Sequence, residues 1–394
     1  YKTPEEAHDI YVRFTMETYD KIVAQYWQKV KDAELADLFR LSIEKSVGRN
    51  GITTPTIDRT GVAKMFAAEF AKATTTSAKQ KIATDTLTVV LFNIAPQGRN
   101  QLMSQQQVTA LREEVSNVNP EKNLYQELEV SREATPAQIE KAYEEKVSTA
   151  TSAEAKQQLA YAHEVLIDTN DKARYDQARI EPTTFAHSFG STQYIHLSQI
   201  SPTTIQEFVE AINAPSAERF TTLILDLRGN IGGSLDFAQY FFGLFQGANQ
   251  YVFDLLHQDE YQVQRTAAEK LPGLARYKEI AILTDEMTQS TAEVTAATFK
   301  RLHLGYVVGK TTRGWGSVEN TYPLETSIDP STTYALFLVN GLTLRDDNQP
   351  IEGRGVDPDI NTNEKEWKQK LKTLFTSPSL INAIEKTASQ PPLK

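Results

Sequence analysis

Three stretches of this chain hold residues whose types and spacing could do chemistry. The first, "GYVVGKTTRGWGSVENTYPL", comes close to the phosphate-loop pattern GxxxxGK[ST]. Only three residues separate Gly305 from Gly309, whereas the loop needs four for its N–H groups to wrap a phosphate. A nucleotide site is therefore not expected there. The second, "LILDLRGNIGGSLDFAQYFF", reads as a buried strand, a Gly-rich turn and a helix starting near Ser234. Gly232 and Gly233 can present backbone N–H groups without side-chain obstruction, and a helix N-terminus favours negative charge. A ligand-free turn explains the same residues, and the G-x-G-x-x-G spacing of a dinucleotide site is missing. The third, "LTDEMTQSTAEVTAATFKRL", reads as a strand ending at Thr284 and a helix beginning around Ser290. Ser290 and Glu293 have the S-x-x-E spacing of a capping box. A hydroxyl at that place suits an N-cap and an accessible nucleophile equally.

The elements that would position these residues follow from the apolar pattern. "TQYIHLSQI", "TTLILDLRG", "EIAILTD", "LGYVVGK" and "TYALFLVN" are short, apolar and rich in β-branched residues, which predicts strands. Helical patterns lie between them, and the alternation predicts a sheet covered by helices. Upstream, residues 1–120 show apolar residues at three- and four-residue spacing and predict a helical domain, with Ser104 capping its last helix and Asn119-Pro120 stopping it. Residues 121–180 predict a small helical unit in which Thr135 caps a helix with Pro136 at its first position. Residues 181–394 form the α/β core with C-terminal helices, so the expected class is multidomain α plus α/β.

Composition bounds the function. The 394 residues carry a formal net charge of −10, with 40% hydrophobic and 23% charged residues. A soluble globular chain of two or three domains fits, and the acidic balance argues against general nucleic-acid binding. With no cysteine, disulfides, thiolate nucleophiles and Cys-rich zinc sites are excluded. No metal or organic cofactor is implied. The chain starts at Tyr1 and has no apolar run long enough to span a bilayer; an exported protein is the expectation. The aromatic-rich helical N-terminus admits a homodimer.

Taken in order, "LDLRGN" with its Gly-rich turn, Ser-x-x-Glu opening a helix, "VVGxxTxGxGSV" and "PIEGRGVDPDI" resemble the catalytic domain of the tail-specific, or C-terminal processing, serine peptidases, over about Tyr194 to Ile360. The resemblance implies a core of the ClpP/crotonase-like type, Ser290 as nucleophile, and an oxyanion hole from the backbone N–H groups of Gly232, Gly233 and Thr291. It also implies an unstructured or C-terminal polypeptide segment as substrate, bound as an added strand beside the core sheet. Family members usually carry a PDZ domain between the helical region and the core. Here "LYQELEVSREATPAQIEKAY" and "AYAHEVLIDTNDKARYDQ" resemble a J domain of the DnaJ type. The His-Pro-Asp tripeptide of that domain is missing from "KVSTATSA", which implies a degenerate J-like module, its partner unspecified.

The general base departs from the resemblance. The family's lysine position, 25 residues after the serine, is Trp315 here, and the position of its orienting Gln is Glu319. An indole N–H donates and cannot accept the serine proton. The histidine of tricorn-type relatives is absent from the matching stretch "NIAPQGRNQLM". Lys310 is left as a candidate base and Glu319 as a candidate orienter, with His196, His187 and Glu352 as weaker candidates. The expectation is a serine endopeptidase with a non-standard base; the alternative is an inactive pseudoprotease that binds peptides or scaffolds a complex.

Overall fold

The computed structural model describes residues 3–119 and 121–393. The chain opens with a helix, Pro4–His8, started by a Thr3/Glu6 capping box with Pro in its first turn. Longer helices follow at Ile10–Gln25, Asp32–Val47, Arg59–Phe70 and Thr76–Asn93. The first of these buries Tyr11, Phe14, Thr15, Thr18, Tyr19 and Ile22, the stripe expected of a helix facing a core. That core also takes in Leu324, Ile328, Leu336 and Leu338 from far along the chain. The N-terminal helices thus pack on a five-stranded antiparallel sheet. Its path runs Gln101–Ser104, Tyr334–Thr343, Tyr251–His257, Glu260–Arg265, with Ser317–Pro323 also paired to Tyr334–Thr343. The helix Gln105–Val115 is capped by Ser104, as its sequence predicts.

Residues 124–178 form four helices, Leu124–Leu128, Pro136–Thr149, Ala153–Ile167 and Thr169–Ala178, around a core of their own that includes Leu124, Leu128, Ile139, Val165, Leu166 and Tyr175. The helix Ala153–Ile167 stops at Asp168, the first residue of the run Asp-Thr-Asn-Asp. Asp168 breaks it with an extended backbone (ψ 127°), and its carboxylate accepts from the Asn170 and Asp171 N–H groups to cap the next helix. The two ends of this unit are joined. Val118 bridges Ile180, the Glu181 N–H donates to the Asn117 carbonyl at 3.2 Å, and the Asn117 amide donates to the Glu181 carbonyl at 2.9 Å.

The second sheet has six strands in the order Ile360–Asn361, Tyr306–Gly309, Glu279–Thr284, Thr222–Asp226, Thr192–Leu197, Thr184–Phe189. All neighbours are parallel except the last pair, an antiparallel hairpin. Four of the five apolar strands read from the sequence lie in this sheet, covered on both faces, while the fifth, "TYALFLVN", lies in the antiparallel sheet instead. Ile195, Leu223, Leu225 and Ile282 meet the helices Thr204–Asn213, Asp236–Gln246 and Thr291–Arg301. Tyr194, Ile224, Ala281 and Leu283 meet the C-terminal helices Trp367–Leu374 and Pro378–Thr387. The parallel strands carry Asp226 and Thr284 at their C-terminal ends, and the loops that leave there build the candidate site.

Candidate active site

Asp226 ends its strand fully buried. It is held by the Tyr194 hydroxyl at 2.6 Å and by the Arg228 guanidinium, whose Nε donates to Oδ1 at 2.9 Å. Arg228 also donates to the Gln390 carbonyl at 2.7 Å, so a paired buried charge fixes both the exit of the strand and the C-terminal segment. Asn230 then links the strand ends. Its amide donates to the Leu197 carbonyl at 2.7 Å, its Oδ1 accepts from the Gly232 N–H at 2.8 Å, and its carbonyl accepts from the Gln289 N–H at 2.9 Å.

The glycines are required by space. A Cβ on Gly232 (φ +89°) would sit 2.6 Å from the Ser290 Cβ, and one on Gly233 (φ +157°) would sit 1.9 Å from the Ile200 carbonyl oxygen. The expected donor set changes at this point. The Gly232 N–H is committed to Asn230. Among the described residues, the Gly233 and Thr291 N–H groups have no internal acceptor, and these are the two donors left for a substrate oxygen. The Thr291 hydroxyl ties the two together by donating to the Gly233 carbonyl at 2.8 Å.

Ser290 caps the helix Thr291–Arg301 with φ +56° and ψ −128°. A non-glycine residue held there stores about 1–3 kcal/mol of strain. In the capping box expected from Ser290 and Glu293, the Ser290 N–H donates to Glu293 Oε2 at 2.9 Å. The Glu293 N–H goes to the Ser290 carbonyl at 2.8 Å, so the backbone secures the helix start.

Glu293 does more than cap. It is fully buried, and it also accepts from the Thr312 hydroxyl, from Gly314 N–H at 2.7 Å and from Trp315 N–H at 2.7 Å. One carboxylate therefore ties the serine turn to the loop that carries Trp315. Burial raises its carboxyl above the ordinary Glu value, and the four donors oppose that rise.

Trp315 occupies the expected base position as a packed side chain. The Arg99 guanidinium lies 3.3 Å from the centroid of its ring, a cation–π stack, and its Nε1 donates to Glu319 Oε1 at 3.3 Å. Arg99 also donates to Glu352 Oε1 at 3.2 and 3.1 Å. Glu352 Oε2 accepts from Gly316 and Ser317 N–H at 2.9 and 3.1 Å, so Glu352 pins the loop. Arg99 arrives from the segment 94–100, whose sequence predicts no charged role. Buried Asn100 fixes that segment by accepting from Val339 N–H at 2.8 Å.

The remaining candidates fall elsewhere. The Lys310 ammonium pairs with Glu286 at 2.9 Å, with both side chains largely exposed. It is a solvated ion pair, turned to that carboxylate and not to the serine. His196 is buried, with Nδ1 at 3.1 Å from the Asp226 carbonyl and its ring beside Phe185. His187 is exposed on the outer strand. Glu319 is brought in, through Trp315 and through the Ser317 hydroxyl, which donates to its Oε1 at 2.6 Å.

With a strained serine at a helix start, two uncommitted N–H groups beside it and a glycine turn facing it, the segment can be placed. Residues 191–362 match the model of peptidase family S41. Two curated relatives from Bacillus subtilis (strain 168) align with the S41 segment. Carboxy-terminal processing protease CtpA is 26% identical over 167 residues, 42% of this chain and 34% of the relative. Carboxy-terminal processing protease CtpB is 25% identical over 184 residues, 46% and 35%. The chain thus spans about a third of the length of these relatives. A photosystem II D1 C-terminal processing protease structure superposes with a TM-score of 0.52 at 12% identity, covering 91% of this chain and 93% of that one, a likeness of fold. These matches liken residues 191–362 to peptidase family S41 and the fold to that of a C-terminal processing protease. No helix among the described residues is long and apolar enough to cross a membrane.

Burial raises the Glu319 carboxyl above its ordinary value of 4.5. A raised folded value means that the native state holds this proton more tightly than the unfolded chain. Its stabilising contribution is full below the unfolded value and lost as pH rises through the folded one. Glu319→Gln, uncharged at every pH, is therefore expected to be more stable than the wild type by a margin that widens above about pH 4.5. Melting temperatures of both proteins from about pH 4 to 8 read this, and a constant margin contradicts it.

Proposed function

We propose that this protein is a serine endopeptidase resembling C-terminal processing proteases, which acts on unstructured or C-terminal segments of other polypeptides in an exported setting. The observation that carries the reading is Ser290, held at φ +56° beside the uncommitted N–H groups of Gly233 and Thr291. In this reading the Ser290 Oγ attacks a peptide carbonyl and gives its proton to solvent, and the carbonyl π pair becomes an oxyanion between those two donors. Its collapse breaks the C–N bond, the amine leaves with a proton from solvent, and water later hydrolyses the acyl ester. Arg99, Trp315 and Glu352 hold the neighbouring loop. The proton of Ser290 is the weak point, because Trp315 cannot accept it and Lys310 is turned to Glu286. Acyl transfer without a matched base retains only about 10³–10⁴-fold over water, from oxyanion binding and positioning.

A second reading has its own observation. The Arg99–Trp315 stack fills the base position with a rigid apolar and cationic surface, which suits a site that holds a polypeptide without turning it over. In both readings the four-helix unit at 124–178 is a degenerate J-like module used for packing or binding.

Exposure to a fluorophosphonate separates them. Labelling of the wild type that vanishes in Ser290→Ala supports the enzyme. No labelling, with no cleavage of a disordered polypeptide and with binding of that polypeptide intact, leaves the pseudoprotease.

A further inference from the structure

The antiparallel sheet ends in a hairpin, Tyr251–His257 and Glu260–Arg265, whose second strand pairs on one side only among the described residues. Its two-residue turn, Gln258–Asp259, has both φ values positive, +48° and +65°, as a tight hairpin turn requires. The strand is held in place from both directions. Gln258 N–H donates to the Trp27 carbonyl at 2.5 Å, and its side-chain amide reaches the Val23 and Ala24 carbonyls at 3.3 Å. On the other flank, Gln239 donates to Gln264 Oε1 at 2.9 Å. A fixed rim strand loses little freedom on taking up a neighbour.

This rim lacks the usual protections. It has no Lys and no Pro, and Tyr261 and Val263 are 64% and 51% exposed. Such an edge invites strand pairing. The alternation of an antiparallel ladder says which backbone groups are free. His257 and Glu260 flank the turn and face each other in the register, so Glu260, Gln262 and Gln264 bond inward. Tyr261, Val263 and Arg265 therefore direct N–H and C=O groups outward.

That outward set is centred on Val263, and it is complementary to itself. Turned about a twofold axis normal to the sheet at Val263, the strand meets a copy of itself antiparallel. Val263 then faces Val263 of the second copy, and Tyr261 faces Arg265 of the second copy, twice. Each facing pair uses the outward backbone groups of both residues. The Arg265 guanidinium has no carboxylate partner among the described residues, only the Asn249 carbonyl at 3.3 Å, so it is available to the facing tyrosine ring. With one acid and one base, the strand is locally neutral within a chain of net charge −10, so two copies meet here without net charge repulsion. An isologous dimer of this kind closes on itself and leaves no further edge at that end.

We propose that Glu260–Arg265 is a self-pairing surface through which two copies of this chain form a twofold dimer, joining their antiparallel sheets edge to edge. The proposal is independent of the peptidase reading.

The test measures molecular mass by light scattering over a dilution series. The wild type is expected to be a dimer that dissociates on dilution. Val263→Lys, which sets two ammonium groups face to face at the axis, is expected to raise the dissociation constant at least about tenfold (1.4 kcal/mol), with the melting temperature of the dilute monomer unchanged. Because the chain has no cysteine, Val263→Cys gives one thiol per copy. A short bis-maleimide should link it into covalent dimers, while Ile57→Cys, 65% exposed in the turn ahead of the helix Arg59–Phe70, should stay unlinked. A wild type that is monomeric throughout, a dimer untouched by Val263→Lys, or equal linking at both thiols overturns the proposal. So does a monomer that instead takes up a strand-forming peptide at this rim.

Discussion

Replacing Trp315 by lysine, together with Glu319 by glutamine, is expected to raise the rate of fluorophosphonate labelling at Ser290 by about 10²–10⁴-fold, the usual contribution of a positioned general base. The loop that would deliver the lysine is already anchored, with Gly314 and Trp315 N–H on Glu293 and Gly316 and Ser317 N–H on Glu352. The Arg99 guanidinium, now stacked on the indole, would lie beside the new ammonium and disfavour its charged form. A lysine so placed is neutral, and able to take a proton, nearer physiological pH. Glu319 would act in the opposite sense by pairing with the ammonium, so Trp315→Lys alone is expected to gain less than the double substitution. A folded double variant that labels no faster than the wild type shows that this loop does not present position 315 to the serine.

The second large effect is expected at Glu293. Its Oε1 accepts from the Thr312 hydroxyl and Gly314 N–H, and its Oε2 from the Ser290 and Trp315 N–H groups. In Glu293→Gln the carboxamide NH₂ faces either the Ser290 and Trp315 N–H groups or the Gly314 N–H and the Thr312 hydroxyl, and in the second case the hydroxyl can turn to accept from it. At least one bond to a charged acceptor is then lost outright, which costs about 1.5–3 kcal/mol. That is a large share of the roughly 5–15 kcal/mol by which a folded domain is stable. The melting temperature should fall by several degrees, and labelling of Ser290 should disappear even where the protein remains folded, because nothing then holds the strained turn. An unchanged melting temperature contradicts this account of the carboxylate.

What the sequence discloses here is what is local. The parallel strands from Thr192 to Gly309 are apolar runs bounded by turn residues, and Ser290 announces itself by its place before a helical pattern and by its spacing to Glu293. The same spacing hides the larger role of Glu293, since three of its four donors come from the loop at 312–315, contacts that no local pattern encodes. Arg99 is illegible for the same reason: its partner Glu352 is 253 positions away. The Gly-rich turn does not disclose that the Gly232 N–H is occupied, because a side chain, that of Asn230, decides it. The hairpin at 251–265 stays hidden at its turn: Gln258–Asp259 takes two positive φ values without the Asn-Gly or Gly that marks such a turn in a sequence. Lys310 illustrates the converse. It is near Trp315 in sequence, yet the strand Tyr306–Gly309 ends by turning it toward Glu286.

The zipped ends of the four-helix unit have a consequence for how such a chain can change over evolutionary time. Asn117, Val118, Ile180 and Glu181 close the insertion point with their own pairing. The frame on either side therefore sees two adjoining strand-like ends, whatever lies between them. The entropy of closing a loop grows only as the logarithm of its length, so cargo of very different size can occupy this socket at nearly the same cost to the scaffold. A helical unit can be exchanged there without disturbing the register of the sheets, and the unit and the frame are free to diversify separately.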